Sequence, residues 1–260
     1  MAQRPGAGRV SWQRNRLLKD DRILVGYNPT KKAQLLVRTF QGEFSIMQKP
    51  KAIIFDLDGV LTDTSDYHYQ SWKHLADDEG IPFTRQENDE HLLGVGRRES
   101  LMYIIRDRKY SEAQIQEMME RKNRYYLELI KNMSPKDLVP GGKALLQEIR
   151  DAGIKIAIAS GSKNCRTVLE HLEIMNYLYG IADGYSVSNG KPAPDLFVYA
   201  AGLVAIPTSD CLGVEDADAG IEAIKAGGMQ ALGIGPQERF HKADKVLPTL
   251  ANKHLQDLLD

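Results

Sequence analysis

Two carboxylates stand one residue apart in Asp56-Leu57-Asp58-Gly59, directly behind the apolar run Ala52-Ile53-Ile54-Phe55. Alternate side chains of an extended backbone share a face, so both acids project together from the end of that run. Gly59 permits a sharp turn just after them. One carboxylate in such a place can accept a phosphoryl group as a nucleophile while its neighbour handles protons. An isolated Asp-x-Asp is usually only a turn; a buried strand before it and Gly59 and Thr62 after it give this one chemical meaning. Glu215-Asp216 ends a second apolar run, and with Asp56 it offers hard oxygen ligands suited to Mg²⁺. Asp218 is the expected N-cap of the helix that follows. Ser160-Gly161-Ser162-Lys163-Asn164 leads from a third run into a helix start, either a phosphate cradle or a plain capping turn. Lys191, before Pro192, supplies an ammonium on a loop facing the same crevice. A nucleophile, an acid/base, a hydroxyl, an ammonium and a metal site together suit phosphoryl transfer through an aspartyl-phosphate, whose oxygens need several positioned cations.

The elements that must position these groups follow from periodicity. Continuous apolar runs at 52–55, 154–159, 211–214 and 230–234 read as strands buried on both faces of a parallel sheet. Helical stretches at 141–152, 165–172, 195–203 and 217–226 alternate with them. Such alternation argues a doubly wound α/β sheet, with ligands outside the carboxyl ends of the strands, where every cluster above falls. Residues 65–135 break the pattern with helical segments at 67–79, 88–91, 98–106 and 112–131, and roughly 70 residues are too many for a loop. The predicted organisation is a core domain of 51–64 and 136–260, an all-helical cap domain of 65–135, and a basic extension of 1–50. In the extension, 23–27 (ILVGY) and 34–40 (QLLVRTF) read as a hairpin or small β-appendage.

The charge totals exclude several functions. The 34 Lys/Arg and 35 Asp/Glu residues give a formal charge of −1 that hides an asymmetry. Residues 1–50 hold ten basic and three acidic groups (+7), which leaves 24 and 32 (−8) for the remainder. An acidic body is a poor ligand for nucleic acid or anionic lipid, so neither partner is expected. The two cysteines, Cys165 and Cys211, have no metal-ligand spacing, no apolar run approaches the ~20 residues of a membrane span, and the leader lacks an apolar segment. The cytoplasm is the expected compartment.

In this order the four motifs resemble those of the haloacid-dehalogenase superfamily of phosphotransferases, across 51–260. The resemblance implies a Rossmannoid core with a helical cap after the first strand. The second acid of the Asp56-x-Asp58 pair sets the chain apart from the dehalogenase branch, and the Schiff-base lysine of the phosphonate-hydrolysing branch has no clear equivalent. The cap stretches Asp63–His68 with Trp72, Gly94–Leu101 and Arg121–Asn123 are similar to those of the hexose-phosphate mutases of the superfamily. That likeness implies interconversion of β-glucose 1-phosphate and glucose 6-phosphate by a monomer using one Mg²⁺, with β-glucose 1,6-bisphosphate as intermediate. By the same resemblance Asp56 is the phosphorylated nucleophile and Asp58 the general acid/base. Mg²⁺ sits on Asp56, the Asp58 carbonyl and Asp216, with Glu215 adjacent. Ser160 and Lys191 hold the transferring phosphate. Arg97 clamps the distal one, with Ser162 and Asn164 on the same side, and Gly161 and Lys163 count among the phosphate-binding residues of the turn. Trp72, Ser100 and Lys122 line the sugar site, Gly94 counts among the substrate- or phosphate-binding residues, and Thr64 and His68 belong to the hinge. Plainer readings stand beside these: Trp72 as core packing, His68 and Lys122 as a solvated pair, Arg97-Arg98 as a charged helix start, and a sugar-phosphate phosphatase on the same core.

Overall fold

Strands with apolar residues at every position must be covered on both faces, and here they are. The computed structural model describes residues 49–92 and 95–260; the 1–48 portion of the basic extension, with both its strand-like runs, and Gly94 lie outside the described residues. β1 (Ala52–Phe55), β2 (Lys155–Ala159), β3 (Gly180–Ala182), β4 (Cys211–Glu215), β5 (Gln230–Ile234) and β6 (Lys245–Leu247) form one parallel sheet in the order β3-β2-β1-β4-β5-β6. One face presents the larger residues Ile53, Phe55, Ile156, Ile158, Leu212, Val214 and Leu232 to α5 (Gly142–Asp151), α6 (Cys165–His171) and α9 (Leu255–Leu259). The other presents Ala52, Ile54, Ala157, Ala159 and Ala231 to α7 (Asp195–Leu203) and α8 (Asp218–Ala226). Small residues on that face let helices sit close: a Cβ at Gly213 would meet the Ile224 side chain at 2.6 Å.

Between β1 and α5 the chain forms α1 (Ser65–Asp78), α2 (Arg85–His91), α3 (Arg97–Ile105) and α4 (Glu112–Ile130). Thr84 and Ser111 start α2 and α4 with reciprocal capping boxes to Glu87 and Gln114. These helices bury a core of their own around Trp72, Leu75, Leu101, Ile104, Ile115 and Met118. Tyr126 and Ile130 of α4 join the large-residue face of the sheet instead. The two passages between insert and sheet touch each other: Val139 N–H donates to Leu61 O at 2.7 Å, and the Thr62 hydroxyl to Asp137 O at 2.7 Å.

The helical segments read from periodicity differ from those observed mainly at their ends. β3 and β6 were not predicted. Each is a three-residue edge strand, and β6 is only half-buried, so neither carries a continuous apolar run.

Candidate active site

Asp56 follows β1 directly, its N–H donating to Val214 O at 2.9 Å, and its residue is 6% exposed. Adjacent β4 ends in Glu215, so the parallel register of β1 and β4 brings Asp56 and Glu215-Asp216 side by side. The Lys191 ammonium, from the β3–α7 connection, bonds the Asp56 carboxylate and donates to Glu215 Oε1 at 2.6 Å. Burial pushes the Asp56 carboxyl well above the usual carboxylate range; Lys191 opposes this, while Glu215 and Asp58 add to it. Burial alone would lower Lys191, but Asp56 and Glu215 hold it above the ordinary lysine value.

Oxygens of Asp56, Glu215 and Asp216 all lie within 4.8 Å of one another. Burial, then the neighbouring Glu215 charge, pushes Asp216 up to about 7. Gly59 takes φ +79°, and a Cβ there would run into the Asp216 carboxylate, so a glycine cradle is what lets Asp216 reach the loop after β1. Three converging carboxylates with hard oxygens fit a divalent cation of the Mg²⁺ kind. The Asp58 carboxylate stands apart from that cluster and accepts the Thr64 hydroxyl proton. Burial raises Asp58 above the usual range and the Thr64 hydrogen bond opposes the rise. Asp218 is not the N-cap it was expected to be. Ala217 occupies that position, its N–H donating to Glu215 Oε2 at 2.6 Å, and Asp218 turns outward to Arg239 at 3.4 Å.

The turn after β2 is closed by its own hydroxyls. Ser160 Oγ accepts from Ser162 N–H at 3.1 Å and Ser162 Oγ from Asn164 N–H at 3.2 Å. Asn164 caps nothing with its side chain and instead donates to Asn123 Oδ1 of α4 at 2.8 Å, tying sheet to insert. Gly161 and Lys163 are exposed on this turn, and a Cβ at Gly161 would meet nothing within 4 Å.

On the insert side, Lys122 is 3% exposed, 2.8 Å from His68 Nδ1, with its ammonium 4.7 Å from the Trp72 ring and 5.1 Å from that of Tyr126. Burial drives both groups down, His68 well below the usual histidine value with Lys122 and Arg97 adding to the effect, and Lys122 well below the usual lysine value. They are therefore no solvated pair. Trp72 is packed in the insert's core, and the Lys122 ammonium lies over its ring. Arg97 opens α3 and is half-buried, whereas Arg98 turns to Glu112 at 2.9 Å. Ser100 is buried, its hydroxyl 3.4 Å from Val95 O, and Thr64 precedes α1 with its carbonyl accepting from His68 N–H at 3.0 Å.

Three residues here had no role read from the sequence: Asn123, Tyr126 and Tyr185. Tyr126 is fully buried, stacks on His68 at 4.3 Å between ring centroids, and has a hydroxyl without a partner among the described residues. Its signal was its place four residues after Lys122 on one helix face. Tyr185 carries no periodic signal at all.

A family model for haloacid dehalogenase-like hydrolases matches residues 50–228. The chain is 45% identical over 201 residues to a β-phosphoglucomutase of Bacillus subtilis, covering 76% of this chain and 88% of that protein. It is 27% identical over 187 residues to a phosphorylated carbohydrates phosphatase of Thermotoga maritima, covering 70% and 83%. The crystal structure of β-phosphoglucomutase from Clostridium difficile superposes with a TM-score of 0.75 at 38% identity, over 80% of this chain and 95% of that one.

Proposed function

The chain belongs to the haloacid dehalogenase-like hydrolase family, and from that premise we propose that it catalyses the β-phosphoglucomutase reaction, converting β-glucose 1-phosphate to glucose 6-phosphate. The observation that carries phosphoryl transfer is the buried Asp56 carboxylate bound by the Lys191 ammonium. The 45% identity to the Bacillus subtilis enzyme supports the mutase over the phosphatase.

In this reading Asp56 is carried as an aspartyl-phosphate. Asp58 takes the proton of a sugar hydroxyl as its oxygen attacks phosphorus, and the bond from phosphorus to the Asp56 carboxylate breaks. The product is β-glucose 1,6-bisphosphate. After the sugar turns over, the C1 phosphate returns to Asp56, Asp58 gives its proton back, and glucose 6-phosphate leaves. Lys191 and Ser160 neutralise the transferring phosphoryl oxygens, and Arg97, Ser162, Lys163 and Asn164 grip the other phosphate. Trp72, Ser100 and Lys122 face the sugar. Asp56, Asp216, Glu215 and the Asp58 carbonyl would hold Mg²⁺, which when bound supplies Lewis-acid neutralisation of phosphoryl charge. Residues 65–135 act as a cap over a core of 51–64 and 136–260, excluding water so that the aspartyl-phosphate survives until the sugar returns. The protein is read as a cytoplasmic monomer; among the described residues no helix is long and apolar enough to cross a membrane.

Protein supplied with Mg²⁺, β-glucose 1-phosphate and a trace of the bisphosphate is expected to yield glucose 6-phosphate. Inorganic phosphate as the main product would reject the mutase and restore the phosphatase.

A further inference from the structure

The loop between β3 and α7 is tightly locked, yet it holds an aromatic ring out in solvent. Asp183, 7% exposed, accepts from Tyr185 N–H and from the Ser186 hydroxyl, both at 3.0 Å, and pairs with Arg166 at 3.3 Å. Gly184 N–H donates to Ser162 O at 3.2 Å, and a Cβ at Gly184 would meet Gly161 O at 2.5 Å and Lys163 Cγ at 3.0 Å. The loop is thus pressed onto the turn after β2. On this support Tyr185 is 73% exposed, and the Lys163 ammonium lies 5.1 Å from its ring centroid. A rigid loop therefore presents a hydroxyl-bearing ring directly beside the Lys163 ammonium of the turn after β2.

We propose that Tyr185 is a specificity-determining residue for the distal phosphate, its hydroxyl donating to an oxygen of a phosphate gripped by Lys163 and Arg97 while its ring holds the Lys163 ammonium in place. The inference rests on the mutase reading, because only a substrate bearing a second, non-transferring phosphate needs that grip. A phenol suits the position: it donates a hydrogen bond without adding charge, and two torsions restrict it. Its locked backbone means that the loop need not be ordered when substrate arrives.

The test uses the full chain with Mg²⁺ and the variants Tyr185→Phe and Tyr185→Ala. Glucose 6-phosphate binding is measured by calorimetry. The KM of β-glucose 1-phosphate, whose phosphate the distal grip must hold while Asp56 donates, is compared with that of acetyl phosphate, which phosphorylates Asp56 and leaves that grip empty. Loss of one hydrogen bond to a charged group is expected to weaken glucose 6-phosphate binding about tenfold in Tyr185→Phe, and further in Tyr185→Ala. KM for β-glucose 1-phosphate should rise in parallel, kcat should move less than KM, and acetyl phosphate should be affected far less. Unchanged glucose 6-phosphate affinity in Tyr185→Phe would overturn the proposal. So would an equal loss on both substrates, which would mark a structural role. If the unaltered protein binds no hexose phosphate, the mutase reading fails and the inference falls with it.

Discussion

Lys122 places its ammonium 2.8 Å from Nδ1 of His68, in a pocket walled by Trp72 and Tyr126. Burial, reinforced by the Lys122 charge, keeps His68 neutral. The pair is one electrostatic unit, spanning α1 and α4 beside Asp58.

That arrangement sets an acid limit on stability. His68 titrates well below the ordinary 6.5 because of burial and the Lys122 charge. Below 6.5 the unfolded chain binds a proton that the folded one refuses, so stability falls with falling pH, by about 1.4 kcal/mol per unit until the folded group titrates. His68→Gln is expected to flatten this part of the curve. Denaturant titrations of both proteins between pH 5 and 7.5 check it, and identical slopes would reject it.

Asp56→Asn retains the shape of the side chain and removes the nucleophile. Turnover of β-glucose 1-phosphate should fall about 10⁴-fold or more, along with any release of phosphate, while the circular dichroism spectrum is retained. Measurable turnover near that of the unaltered protein would mean that another group is phosphorylated.

Metal affinity should depend on pH through Asp216. Its carboxyl, pushed up to about 7 by burial and Glu215, is protonated below that value in the metal-free protein. Cation binding must release that proton, so Mg²⁺ affinity is expected to rise from pH 6 to 8 and then level off. Excess Mg²⁺ at about 100 times its dissociation constant should stabilise the fold by about 2.7 kcal/mol. Isothermal titrations at several pH values, paired with melting curves, measure both effects; a pH-independent affinity would contradict the assignment.

Arg97→Ala should raise KM for β-glucose 1-phosphate by tenfold or more, since a guanidinium grips phosphate through two parallel bonds. Hydrolysis of acetyl phosphate should suffer far less. Steady-state kinetics on the two substrates decide the point.

Gly59→Ala combines two penalties. A left-handed backbone costs a side chain about 1–2 kcal/mol, and the new Cβ would displace the Asp216 carboxylate. A lower melting temperature and weakened Mg²⁺ binding are expected together. Loss of stability with Mg²⁺ affinity intact would show that Asp216 is not a ligand.

Much of this arrangement is legible from local pattern. β1, β4 and β5 are continuous apolar runs, and the chemistry-bearing residues sit at or just beyond the carboxyl ends of β1, β2 and β4, where a parallel sheet exposes them. What local pattern hides is pairing across the fold. The helix after β4 begins one residue earlier than Asp218 suggests, because Ala217 holds the extended backbone of the N-cap and Glu215 accepts its N–H, a one-residue shift that spacing alone does not reveal. Asn123 meets Asn164 only because α4 crosses the turn after β2. Tyr185 stands where it does because Gly184 allows one loop to press on another.

The paired passages at Leu61–Thr62 and Asp137–Val139 have a consequence for how this protein can be rebuilt. Because Thr62 and Leu138 form an antiparallel bridge, the cut ends of the sheet domain would already be neighbours if the segment between them were removed. A few residues of linker would close the gap, so the insert is a cassette with adjoining ends. Exchanging it for another helical segment of matched ends would change what the carboxylates meet and leave the strands that carry them uninterrupted.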